Sequence, residues 1–136
     1  MIVCDTSVLV AAFARWHDAH REAVAALARV GGLVEHTVLE TFSVLTRLPA
    51  PRRAPPELVA LFLGHHFPDV VPRLSGPGPE AVIEAARARG VVGGAVYDLL
   101  VGLAAAHADA TLLSLDRRAL ATYRAAEVRC ELLSTT

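Results

Sequence analysis

The sequence predicts an α/β fold in which about five short, mainly parallel strands carry helices on both faces. Three observations predict it. Short apolar runs suited to buried strands alternate with longer stretches of helical period. At 136 residues and 54% hydrophobic content, the chain has apolar material for one core, and residues 1–136 are expected to form a single domain. Aromatics make up only 5%, while alanine occurs 25 times, so the layers should be aliphatic and closely packed.

The elements follow in order. Ile2-Val3-Cys4 is a first buried strand. Asp5, Thr6 and Ser7 are all good N-caps, so a helix is expected over 8–14. Asp18 caps a helix running to 30, with Ala19, Ala23, Ala26 and Val30 at helical spacing, and Gly31-Gly32 ends it. Leu33-Val34 is a second strand, and Thr37 opens a helix reaching Leu48. All eight prolines lie between positions 49 and 79. They predict a break at 49–56, a helix over 56–66, a strand at Asp69-Val70-Val71, and a helix from Pro79 that Gly90 stops. Residues 94–108 read as a helix that is apolar nearly all round. Asp109 turns the chain into a strand at Thr111-Leu112-Leu113-Ser114, and a helix over 117–126 and a strand over 128–133 complete it.

Composition excludes several chemistries. The 13 basic residues are all arginine, and lysine, asparagine and glutamine are absent. Schiff-base catalysis, a phosphate loop ending in Gly-Lys-Ser/Thr and any site built on an ammonium group are thereby ruled out. The net charge of −1 means that polyanion binding requires a local arginine patch. Cys4 and Cys130 fall in predicted strands and read as small buried hydrophobes in a reducing compartment. His17 and His20 lack the cysteine pairs or His-Glu-x-x-His spacing of a zinc site. The best membrane candidate, 91–108, carries Asp98 near its middle at a cost of about 2.5–3.5 kcal/mol, and the opening Met1-Ile2-Val3-Cys4-Asp5 has no basic leader. A cytoplasmic protein without membrane contact is expected.

Four acids carry the chemical argument. Asp5 and Asp116 follow strands, at the edge where α/β sheets collect function, while Glu40 and Asp98 lie on helices adjoining the sheet. Each of the first three has a structural alternative. The alternative is a helix cap for Asp5 and for Asp116, and for Glu40 a capping box with Thr37 or a solvent-facing position. Asp98 is different, because it is the only acid or arginine among residues 91–108 and an unpartnered buried carboxylate is costly. If the four converge, neighbours about 4 Å apart repel by roughly 4 kcal/mol at an effective dielectric of 20. They must then take up protons or bind a cation. An all-oxygen set favours Mg²⁺ or Mn²⁺, and such a site suits phosphodiester hydrolysis by activated water.

These motifs resemble the PIN-domain nucleases, and among them the VapC-type toxins of bacterial toxin–antitoxin pairs. Ile2-Val3-Cys4-Asp5-Thr6-Ser7-Val8-Leu9 is similar to the family opening. Val38-Leu39-Glu40-Thr41-Phe42, Tyr97-Asp98-Leu99-Leu100 and Leu113-Ser114-Leu115-Asp116-Arg117-Arg118 resemble its later acidic motifs, in the same order and over nearly the whole chain. The resemblance implies a PIN-like three-layer sandwich and a metal-dependent endoribonuclease with Asp5, Glu40, Asp98 and Asp116 as its acids. It further implies Asp5 and Asp98 as direct Mg²⁺ ligands, with Mn²⁺ able to substitute, and Glu40 and Asp116 acting directly or through water. Thr6, Ser7 and Ser114 would support the site, Ser114 standing where the family commonly has threonine. A homodimer, a cognate antitoxin and a structured RNA substrate (tRNA or rRNA) are also implied. Arg15, Arg47, Arg52, Arg53, Arg87, Arg89, Arg117 and Arg118 are candidates for RNA contact, with Arg117, Arg118 and Arg15 first among them, and Trp16 is a candidate for stacking on a base.

Two rival α/β enzymes lack their residues here. A phosphorelay receiver needs a lysine, and a haloacid-dehalogenase-type phosphatase needs an acid where Ser7 stands. The remaining alternative is a silent PIN-like binding module whose acids only cap helices.

Overall fold

A computed structural model describes residues 1–135, in the order β1 (Ile2–Cys4), α1 (Thr6–Phe13), α2 (His20–Leu27), β2 (Leu33–Val34), α3 (Glu35–Thr46), α4 (Pro56–His66), β3 (Arg73–Leu74), α5 (Pro79–Arg89), α6 (Ala95–His107), β4 (Thr111–Ser114), a 3₁₀ turn (Arg117–Ala119), α7 (Leu120–Ala125) and β5 (Arg129–Leu132). All strand pairing is parallel. It divides into a three-stranded sheet of order β1-β4-β5 and a two-stranded ladder of β2 and β3, with β2 packed beside β1.

Strand pleating builds the three layers, because successive side chains point to opposite faces. Cys4, Leu33 and Leu113 face one core, shared with Val8 and Leu9 of α1, Ala23 of α2, Leu45 of α3 and Val59 of α4. Their neighbours Val3, Val34 and Leu112 face the other, shared with Val101, Ala104 and Ala105 of α6 and with Tyr123 of α7. Val3 pairs with Leu112, and Cys4 with Leu113. This register keeps like faces together, as a one-residue slip would not. The expected α/β sandwich is thus present, with five strands and helices on both sides.

Small residues set the spacing of the second core. A Cβ added at Gly102 would lie 2.8 Å from the Ala126 Cβ and 3.3 Å from Tyr123 Cδ1, so α6 approaches α7 too closely for any larger side chain. Gly90 ends α5 in the left-handed region at φ 70°, as its position after the last helical residue predicts.

Several local expectations are corrected. The strand expected at 69–71 lies instead at Arg73–Leu74, where Leu33 N donates to the carbonyl of Pro72, and Val70 is 87% exposed. Tertiary pairing with β2 decides that register, not the apolar Val70-Val71 pair. The second helix begins at His20, and Asp18 does not cap it; His17 Nδ1 accepts from Ala19 N in the preceding turn. The third helix starts at Glu35, two residues before Thr37, so no Thr37–Glu40 capping box forms, and Thr37 is fully buried. Cys4 is buried, but Cys130 is only partly so. Among the described residues no helix is long and apolar enough to cross a membrane.

Candidate active site

Asp5 sits where β1 hands over to α1. Its own N–H donates to Leu113 O over 3.0 Å, extending the β1–β4 ladder by one residue. Its carboxylate turns back to cap α1, Oδ1 accepting from Ser7 N at 3.0 Å and Val8 N at 3.4 Å. The capping role anticipated for Asp5 is real, and it does not exhaust the residue. Oδ1 also accepts from Ser7 Oγ, while Oδ2 accepts from Ser114 Oγ and from the Tyr123 hydroxyl at 2.7 Å. Asp5 is only 5% exposed. Burial raises its pKa above the usual carboxylate value, against the lowering effect of the bonds from Ser114, Ser7, Tyr123 and Val8.

The two serines are braced in turn. Ser7 Oγ accepts from Leu115 N at 2.8 Å, and Ser114 Oγ accepts from Asp116 N at 3.0 Å. The first bond ties the loop after β4 to the opening turn of α1, and the second braces that loop on the end of β4. Thr6 lines the same hollow, but the hydroxyl donors to Asp5 are those of Ser7, Ser114 and Tyr123. Tyr123 was not anticipated, because an aromatic at helical spacing reads as core. It is 1% exposed and does pack in the core, with only its hydroxyl turned to the site.

The other acids arrive from three directions. Asp98 lies in the first turn of α6, where unpaired N–H groups favour negative charge. Glu40 lies on α3 beyond β2, and His36 Nε2 meets its Oε2 at 2.9 Å. Asp116 caps the 3₁₀ turn through Oδ1, which accepts from Arg118 N at 2.9 Å. Together with Thr6, Ser7, Val101 and Tyr123, the four acids line one cavity of about 40 Å³. That is room for a small ion or one water, and too little for a nucleotide.

Their fields overlap. The Asp98 carboxyl is pushed up to about 6, first by burial and then by the negative charges of Glu40, Asp5 and Asp116, with His36 opposing. All four acids are thus brought to one place. Among the described residues, however, no three acidic, imidazole or thiol side chains are gathered as a ready-made metal-ligand group. The carboxylates are instead engaged by protein donors: Asp5 by three hydroxyls, Glu40 by His36, and Asp116 by the turn it caps.

A wider cleft of about 790 Å³ opens beside the cavity and shares Thr6, Ser7, Glu40 and Asp116 with it. Arg47 of α3, Arg118 and His17 line this cleft. Arg118 and Arg47 are both among the arginines singled out from the sequence. Arg15 and Arg117 are exposed and line neither hollow. Trp16 is 43% exposed, with the Arg52 guanidinium 4.2 Å above its ring.

Comparison with known proteins agrees with this architecture. The model of the PIN domain family matches residues 2–126. Ribonuclease VapC40 of Mycobacterium tuberculosis is 43% identical over 134 residues, covering 98% of this chain and all of that protein. Ribonuclease VapC27 of the same organism is 41% identical over 123 residues, covering 90% of this chain and 89% of the relative. The crystal structure of PAE2754 from Pyrobaculum aerophilum superposes with a TM-score of 0.63 at 19% identity, covering 95% of this chain and 89% of that one.

Proposed function

The chain belongs to the PIN domain family, as a VapC-type member, and from that premise we propose that it is an endoribonuclease dependent on a divalent metal. The observation that carries this reading is the place of Asp98. A lone acid in an apolar helix lines the same small cavity as Asp5, Glu40 and Asp116, and its pKa is raised by burial and then by their charge.

The donor set fits a hard dication. Carboxylate oxygens alone line the cavity as strong ligands, with neither imidazole nor thiol among the lining residues, which suits Mg²⁺ or Mn²⁺ and not zinc or copper. Asp5 and Asp98 would hold the ion directly, and Glu40 and Asp116 directly or through water. Such an ion supplies a lowered water pKa and offsets negative charge on the phosphate.

The chain's own residues supply position and binding. Ser7, Ser114 and Tyr123 orient both oxygens of Asp5, and a directly bound ion would take the place of one of these hydroxyl donors. Arg47 and Arg118 offer guanidinium forks along the cleft that opens from the acids, where phosphates of the RNA would lie. No lysine is needed. As a toxin the protein would have a cognate antitoxin and act as a homodimer on structured RNA such as tRNA or rRNA, which follows from the VapC likeness. Residues 1–136 would form one nuclease domain.

The test is cleavage of a total RNA preparation by the purified protein with Mg²⁺ or Mn²⁺, followed by mapping of the new ends. Discrete, EDTA-sensitive cuts that disappear in Asp98→Asn are expected. Equal RNA decay with parent, variant and buffer would return the protein to the silent-module reading, in which its acids are helix caps.

A further inference from the structure

We propose that His36, held flat by Tyr97, is a positioning residue for Glu40. The proposal rests on the nuclease reading above. His36 and Glu40 are four apart on α3 and so share one face of the helix. An ionised carboxylate can only accept, so the 2.9 Å contact assigns the proton to Nε2 of His36.

The imidazole is itself held from across the site. Its ring lies against that of Tyr97, centroids 5.1 Å apart and planes within 2°. Tyr97 directly precedes Asp98 on α6. A single imidazole therefore ties the helix bearing Glu40 to the helix bearing Asp98. Tyr97 is 56% exposed, so its ring is not consumed by the core. Glutamate on a half-exposed helix face has several rotamers to choose among. His36 selects one by occupying Oε2, and the stack prevents the imidazole from swinging away. Groups that orient a ligand in this way are worth about 10–100-fold in metal affinity or activity.

The experiment compares His36 and Tyr97 variants by steady-state RNA cleavage and by Mn²⁺ binding, the latter read as the rise in Tm of EDTA-stripped protein. His36→Ala is expected to lower kcat about 10–100-fold, to leave KM near the parent's, and to weaken Mn²⁺ binding. His36→Gln, whose amide still donates at similar reach, should recover most of both. Tyr97→Phe keeps the stack and should match the parent, whereas Tyr97→Ala should follow His36→Ala. In a Glu40→Ala background, His36→Ala should weaken Mn²⁺ binding no further. If His36→Ala does not fold, Tyr97→Ala and His36→Gln decide the matter in its place. Parent-like kcat and Mn²⁺ binding in His36→Ala and Tyr97→Ala overturn the proposal and leave the nuclease reading standing, as does further loss in the Glu40→Ala background. A parent protein that neither cleaves RNA nor binds Mn²⁺ removes both.

Discussion

Tyr123 donates its hydroxyl to Asp5 Oδ2 over 2.7 Å, linking the last helix to the residue that follows the first strand. Both groups are almost wholly buried, Tyr123 at 1% and Asp5 at 5% exposure. Burial and the adjacent Asp5 charge push the Tyr123 hydroxyl far above its ordinary range, so it stays a donor at any working pH. Removing the hydroxyl leaves a buried carboxylate oxygen with one donor fewer. Tyr123→Phe should therefore cost about 1–3 kcal/mol, measured by urea unfolding, while the ring still fills its place. An unchanged midpoint would show that Ser114 alone satisfies Oδ2.

Asp98 gives the metal-free protein a pH dependence of definite sign. Its carboxyl is raised to about 6 in the fold, against about 3.9 in an unfolded chain. Between those values the native state binds more protons than the unfolded state, so stability falls as pH rises through that window and levels off above it. Asp98→Asn should reduce this slope and leave the part due to Asp5, whose pKa is raised in the same direction by burial. Unfolding of EDTA-treated protein between about pH 4 and 7 checks it. A variant with the parent's full slope would place the titration elsewhere.

Mn²⁺ should stabilise the parent and not Asp98→Asn. A ligand at 100 times its Kd adds about 2.7 kcal/mol, a rise of several degrees in Tm. Thermal melts with and without the ion provide the measurement. An equal rise in both proteins would mean that the ion binds outside the four-acid cavity.

Arg47 and Arg118 line the cleft and not the acid cavity, so their loss should act on binding and spare the chemistry. Arg47→Ala and Arg118→Ala should each raise KM for RNA with kcat nearly constant. Each should also reduce the dependence of log KM on log salt by about 0.7 for a single-stranded contact. Arg15→Ala, outside the cleft, is the control. A variant that lowers kcat at saturating RNA would contradict this division.

The acids were legible in the sequence because each broke a local pattern. Asp5 ends an apolar run, Asp116 follows another, and Asp98 interrupts a helix that is otherwise apolar. Glu40 was the least distinctive, and its capping-box alternative failed because α3 starts before Thr37. The supporting shell was less legible. Tyr123 looked like core and is core, so nothing in its spacing marked the hydroxyl. Arg47 was one of several candidate arginines in the sequence, and only the fold separates it from the others. The His36–Glu40 spacing was present in the sequence, but the stack on Tyr97 joins α3 to α6 and needs the tertiary structure. The displaced third strand has a similar cause: two-residue ladders are positioned by their neighbours and not by their own composition.

The hydrogen bonds around Asp5 also bear on when its setting comes into being. The residue leaves the ribosome early, yet Ser114 and Tyr123 are translated more than a hundred positions later. A nascent chain that has emerged only through α6 holds neither donor, and its β1 has no β4 to lie against. The acidic pocket is thus a property of nearly finished polypeptide. Any fragment ending short of Ser114 leaves that first carboxylate without either long-range donor, held only by Ser7 and Val8 of the helix it caps, so a truncated chain cannot assemble the pocket's floor.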